Sequence, residues 1–208
     1  MEGHPLAEQP YNPLDKRNLG KSIADALLVK QVIPLSAIEP FTGAGIYAIY
    51  FIGNFPAYEP IASKNKYGLF KLPIYVGKAV PAGARKGGFL EADPGPVLFR
   101  RLDEHIRSIE QANNLNIKDF YCRYLVVDEF WIPLAEALLI DTFSPLWNVV
   151  IDGFGNHDPG SGRYNQQRSY WDVLHPGRPW AEKLQDNRLT KENVLELVAN
   201  ALKSKNTD

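Results

Sequence analysis

From Ile46 to Phe51 the chain carries six consecutive apolar or aromatic residues, with no polar side chain to turn toward water on alternate positions. Aromatic and β-branched residues dominate the run, so it reads as a strand buried on both faces. Such a strand has to be covered twice, and this constrains the arrangement of everything around it. Upstream, Asn12-Pro13 offers an N-cap followed by proline at the first helical position, and Leu19, Ile23 and Leu27 recur at helical spacing until Pro34 and Pro40.

Downstream, residues 53–71 are broken by Gly, Pro and Lys and predict a loop, and residues 73–77 a second short strand. Gly83, Gly87, Gly88, Pro94, Gly95 and Pro96 mark a long loop, after which a helix is expected over Val97–Gln111. Leu98, Leu102, Ile106 and Ile109 form its apolar stripe at roughly 100° per residue. Arg101, His105 and Ser108 fall along one edge of that stripe, while Arg100 and Arg107 face away. Residues 120–127 predict a third strand. Pro133 opens a helix carrying Leu134, Leu138 and Leu139, with Glu136 away from their centre, and Ser144-Pro145 stops it. Residues 152–180 lack periodicity and are rich in Gly, Pro, Asn, Gln, Arg and aromatics. A last helix over residues 190–202 shows Val194, Leu197, Val198 and Ala201 on one face.

A length of 208 residues suits one large domain or a compact core with an extension. Lys and Arg number 23 against 24 Asp and Glu, so any phosphate-binding surface has to be a local patch. The single cysteine, Cys122, excludes an internal disulfide framework and a Cys-based zinc site, and its apolar surroundings predict a buried structural thiol. No apolar run approaches membrane-spanning length, and no basic flank precedes an apolar leader, so a soluble cytoplasmic protein is expected.

The residues able to do chemistry are Tyr47, Tyr75, Arg101, His105, Glu136 and Asn148. Phosphodiester hydrolysis needs a base for the attacking water, neutralisation of the phosphate and stabilisation of the leaving oxygen. Glu136 is the candidate ligand for a hydrated divalent ion, Mg²⁺ with Mn²⁺ as substitute, although a lone helical Glu is more often just solvated. Arg101 and His105 stand at i and i+4, so both side chains reach one point. Arg can grip phosphate oxygens without titrating, and His can accept or relay a proton. Tyr47 and Tyr75 can donate to a phosphate or a water. A tyrosine pKa of about 10 leaves little phenolate near neutrality, so a base role requires a neighbouring cation, for which Lys78 is one candidate. Asn148 either orients a phosphate or ties the helix exit to a strand. His157 and His175 have no nearby acid or Cys pattern that would make them metal ligands.

Gly45-Ile46-Tyr47 with Tyr75-Val76-Gly77, then Arg101 and His105, Glu136 to Ile140, and Pro145 to Asn148, resemble the ordered motifs of the GIY-YIG nuclease superfamily. The resemblance covers residues 41–150. Within the superfamily it is greatest to type II restriction endonucleases, particularly those cutting CCGCGG. It implies an α+β fold, a small three-stranded antiparallel sheet flanked by helices, carrying N- and C-terminal helical and loop extensions. Residues 1–40 would be a helical extension, 41–150 the catalytic core with residues 53–71 inserted, and 151–208 a DNA-contacting and packing extension. It further implies Tyr47 as base or water-positioning group with His105 assisting, Arg101 and Tyr75 on the scissile phosphate, and Glu136 on the metal. The second motif departs from Tyr-Ile-Gly by one conservative change.

A type II enzyme of this kind implies double-stranded DNA as substrate, a palindromic site and a homodimer built through the first or last helix. Repair or mobile-element endonucleases of the same superfamily, and a noncatalytic DNA-binding module, are the alternatives. Arg163, Asn165, Gln166, Gln167, Arg168 and Arg178 are candidate base or phosphate contacts, by the affinity of Arg for guanine edges and of Asn and Gln for adenine edges. Arg85 and Lys86 are candidate phosphate contacts, as is Lys78. In the insertion, Lys64, Lys66 and Tyr67 could grip DNA or a partner subunit.

Overall fold

The computed structural model describes residue 12 and residues 14–81 and 94–204, and in it the chain is an α+β protein. In chain order the elements are α1 (Lys16–Leu28), β1 (Ile33–Pro34), β2 (Gly45–Phe51), α2 (Glu59–Asn65), β3 (Tyr75–Ala79) and α3 (Val97–Gln111). There follow β4 (Phe120–Val126), α4 (Ile132–Phe143), α5 (Leu146–Val149), α6 (Tyr170–Leu174) and α7 (Lys191–Ser204). No helix among the described residues is long and apolar enough to cross a membrane.

All seven residues of β2 are buried. Its alternation divides the molecule into two cores. Tyr47, Ile49 and Phe51 enter a core with Leu98, Leu102 and Ile109 of α3 and Val194, Val198 and Leu202 of α7. Ile46, Ala48 and Tyr50 enter a second core with Ala24 and Leu27 of α1 and Ile132, Ala135 and Leu139 of α4. Cys122 lies in the first core, where burial pushes its thiol up to about 12.

The sheet has four strands, not three. Its order is β1-β4-β2-β3 and every pair is antiparallel. The added strand is the two-residue β1, with Ile33 opposite Cys122 and Pro34 opposite Tyr121. Proline has no N–H to donate, so the sheet edge is where it can sit. Strand β3 lies two residues later than expected at its start and end, in register with β2 from Gly45 opposite Ala79 to Ile49 opposite Tyr75.

Other expectations shift locally. Helix α1 is capped by Asp15, whose carboxylate accepts from the Arg17 N–H at 2.8 Å, while Asn12 makes the turn before it. Residues 53–71 hold the helix α2, and Asn65 at its end is buried. The Asn65 amide donates to Phe51 O and Leu72 O and accepts from Leu72 N, at 3.0, 2.8 and 2.9 Å. One side chain thus clasps the exit of β2 to the approach of β3. In α7 the buried stripe is Val194, Val198 and Leu202, and Leu197 is turned outward, 39% exposed. Ser144 ends α4 in the left-handed region, at φ 41°.

Inside the first core runs a chain of polar groups. Trp147 Nε1 donates to Tyr58 Oη at 3.0 Å, and Tyr58 Oη lies 2.6 Å from His175 Nε2. His175 Nδ1 lies 2.9 Å from Asn114 Oδ1, an acceptor, so Nδ1 carries the proton and Nε2 receives that of Tyr58. This arrangement requires a neutral imidazole. Burial first, then the Lys191 and Arg178 charges, lower the His175 pKa to about 3. The unfolded chain therefore takes up a proton below about pH 6.5 that the folded chain refuses. Stability is full above that pH and is lost as the pH falls toward 3. Urea titrations are expected to show a decline of about 1.4 kcal/mol per pH unit from this group below pH 6.5, absent in His175→Gln; equal slopes in both proteins would rule the mechanism out.

Candidate active site

Strands β2 and β3 set the first part of the site. Tyr47 is opposite Gly77 and Ile49 is opposite Tyr75, so the two tyrosines share one face of the sheet, with ring centroids 6.2 Å apart. Gly77 is a packing requirement here. A Cβ at that position would stand 2.3 Å from Tyr47 Oη, so any other residue would displace the phenol. The last residue of the second motif is thereby explained by the last residue of the first.

Helix α3 covers this face and brings His105 against the phenol. Tyr47 Oη and His105 Nε2 are 2.6 Å apart, and both side chains are buried. Phe154 stacks on the imidazole at 4.4 Å and meets the Tyr75 ring edge-on at 4.9 Å. Burial dominates the electrostatics. It pushes the Tyr47 hydroxyl well above the usual phenol range, aided by Tyr75 and opposed by the Arg101 guanidinium. Tyr75 is raised for the same first reason, again opposed by Arg101. His105 is held well below the usual imidazole range by burial and then by the Arg101 charge. The pair is consequently a neutral phenol on a neutral imidazole. The cation opposing phenol desolvation is Arg101; Lys78, one candidate for that part, is paired with Glu136.

Arg101 lies one turn before His105 and is fixed on several sides. Nη2 donates to Gly155 O at 2.9 Å, and Nη1 donates to Glu104 Oε2 at 3.0 Å and lies 2.6 Å from His157 Nε2. A Cβ at Gly155 would meet Arg101 Nη2 at 2.8 Å and Tyr75 Oη at 2.9 Å, so a side chain there would push on both groups. Glu104, Phe154 and Gly155 are not among the residues the sequence singles out, and His157 is considered there only as a metal ligand. Glu104 was legible as the i+3 neighbour of Arg101. The others come from the aperiodic segment after α5, where no spacing rule applies.

Glu136 approaches from the opposite face, on α4, at the free sheet edge made by β3. Its Oε2 is 2.6 Å from Lys78 Nζ, and its charge contributes to raising both phenols. Among the described residues no three His, Cys, Asp or Glu groups gather to hold a metal. A divalent ion at Glu136 would therefore rely mainly on water, which suits Mg²⁺, and the Lys78 ammonium already demonstrates that this carboxylate accepts a cation.

Asn148 is occupied elsewhere. Its Oδ1 accepts from Val76 N and its Nδ2 donates to Val76 O, both at 2.8 Å. It satisfies the outward-facing backbone of the edge strand β3 at Val76, so it positions the strand that carries Tyr75.

The candidate DNA contacts separate into three groups. Arg163, Asn165, Gln166 and Gln167 are exposed, and Arg163, Gln166 and Gln167 line a cleft with His157 and Trp180. His157 and Trp180 also line the adjoining cleft that reaches Arg101 and His105. Arg168 is partly buried and holds its own loop, donating to Ala181 O and Glu182 O. Arg178 cannot touch DNA, because it is 1% exposed. It donates to Asp172 Oδ1 at 2.7 Å and to the carbonyls of Gly153, Phe154 and Asn156, between the rings of Trp171 and Trp180. Arg85 and Lys86 lie outside the described residues.

A family model for the Eco29kI GIY-YIG domain matches residues 39–202. The match starts just before β2 and ends inside α7, so it takes in the whole cluster. Comparison with curated proteins finds no match.

Arg178 holds the backbone on either side of Gly155, and through it the carbonyl that receives Arg101. Removing it strands a buried Asp172 carboxylate without its partner, so Arg178→Ala is expected to cost about 3–5 kcal/mol of unfolding free energy. Urea denaturation at neutral pH measures this, and an unchanged midpoint would show that the loop is held by other contacts.

Proposed function

The chain belongs to the Eco29kI GIY-YIG family of restriction-type nucleases, and from that premise we propose a Mg²⁺-dependent endonuclease that cuts double-stranded DNA at a palindromic site. The observation that carries this reading is the convergence of Tyr47, Tyr75, Arg101 and His105 on one side of the sheet edge, with Glu136 close enough for its charge to act on both phenols.

Arg101 grips the scissile phosphate, and the Tyr75 hydroxyl donates to one of its oxygens. Tyr47 sits between the attacking water and His105. As the phenol passes its proton to Nε2, its oxygen takes one from the water, so no free phenolate has to form against the desolvation that opposes it. His105 enters the reaction neutral with Nε2 2.6 Å from the phenol oxygen, placed to receive that proton. Glu136 holds the metal, which when bound neutralises charge on the phosphate and stabilises the leaving oxygen. Asn148 keeps β3 and Tyr75 in place. Arg163, Asn165, Gln166 and Gln167 read bases or hold phosphates beside the cleft. A homodimer and a CCGCGG site accord with the family likeness.

Purified protein is expected to cut supercoiled plasmid into discrete fragments with Mg²⁺ and not without it. Random nicking would favour a repair-type activity, and intact plasmid a binding module. Glu136→Gln is expected to abolish cutting while retaining specific duplex binding in a gel shift; full activity would remove Glu136 from the metal. Arg101→Ala is expected to slow single-turnover cleavage about 10²–10³-fold, the scale for a lost charge-stabilising donor. A rate near that of the native protein would refute its phosphate role.

A further inference from the structure

Lys78 and Glu136 are assigned above to different partners, a phosphate and a cation, yet they hold each other. Lys78 Nζ is 2.6 Å from Glu136 Oε2, and the side chains keep 38% and 19% of their exposure. An ion pair this wet contributes little to holding elements together. Nor is it needed for that purpose, because Ala135 and Leu139 of α4 already pack with Val76 of β3 in the second core. What the ammonium does is occupy a carboxylate oxygen that a divalent ion would need. With no cluster of three ligating side chains among the described residues, that oxygen has no ready replacement.

The geometry points to Lys78 as an exchangeable counter-ion of the metal site. This rests on the reading of Glu136 as the metal ligand. In the free protein Lys78 keeps the Glu136 carboxylate turned to the edge of β3. A divalent cation on that carboxylate repels the ammonium, whose four-carbon stem lets it swing away. It stays attached to the strand that carries Tyr75, where the scissile phosphate lies and offers it a new anion. Loading the cation thus frees Lys78 for DNA, and DNA that captures Lys78 frees Glu136 for the cation. Each ligand raises the affinity for the other by the same factor, as linkage demands. Lys78 is then a positioning residue whose task is to couple two binding events, so that the metal site fills chiefly when a phosphate is present.

The test uses full-length protein and Mn²⁺ alone as probe, followed by paramagnetic resonance of the free ion, with and without a short duplex carrying a noncleavable linkage. Lys78→Met is expected to bind Mn²⁺ about fivefold more tightly than the native chain without DNA, near the upper end for an ion pair at a partly exposed site. Lys78→Arg, which keeps the charge, stays close to native. Added duplex raises the Mn²⁺ affinity of the native chain, and this gain shrinks in Lys78→Met. Mn²⁺ affinity that is unchanged or weaker in Lys78→Met, in protein with native thermal unfolding, would overturn the exchange. Glu136→Gln separates the two ideas. If it binds Mn²⁺ as the native chain does, the metal-ligand reading itself fails and the exchange with it. If it loses Mn²⁺ while Lys78→Met behaves as native, only the exchange fails.

Discussion

A strand that offers water nothing on either face governs this molecule. Because β2 is fully buried, helices have to close over both its sides, and the alternation of its residues decides which side each feature joins. Tyr47 is thereby committed to the face under α3, and only the absence of a side chain at Gly77 lets its phenol lie there. Glu136 is committed to the other face and has to meet the site at the edge of β3. The site is consequently built across a sheet edge, which explains why an asparagine from α5 closes the outward backbone of that strand.

Burial also sets the chemical character of the centre. Desolvation pushes phenol and imidazole toward their neutral forms, and the one strong positive charge among them, Arg101, deepens the effect at His105 while relieving it at the tyrosines. Neutral partners at short range favour handing a proton along over holding an ion. Arg101 in turn depends on a carbonyl presented by a glycine, in a loop that a second, buried arginine secures from below. The two arginines differ completely in role although both are rich in hydrogen bonds. Arg101 lines an open cleft, whereas the Arg178 side chain is itself buried and its hydrogen bonds go to Asp172 and to backbone carbonyls.

The sequence made the central elements legible because their residues obey simple periods. The burial of β2 follows from its unbroken apolar run, the course of α3 from its apolar stripe, and the placement of Arg101 one turn before His105 from a spacing of four. Where no period exists, inference failed. Arg178 looked like a DNA contact because composition alone cannot distinguish an arginine facing solvent from one with an aspartate and three carbonyls around it. The contact of His157 with Arg101 has no such signal either, because the two are more than fifty positions apart in the chain. Strand β1 is invisible in the sequence because two residues carry no alternation to detect, and the sequence leaves Asn148 open because an amide can serve a ligand or a backbone equally well.

The Asn65 clasp has a consequence for how such a fold can vary. Since that one amide fastens Phe51 to Leu72, the exposed tip beyond it does not set the register of the motif strands, whereas Tyr58, Ile61 and Ala62 before it are buried in the first core. At its tip Tyr67 stands 97% exposed on a left-handed backbone. A label at that tip stays clear of both cores, while loss of the asparagine would let the loop tug directly on the catalytic strands.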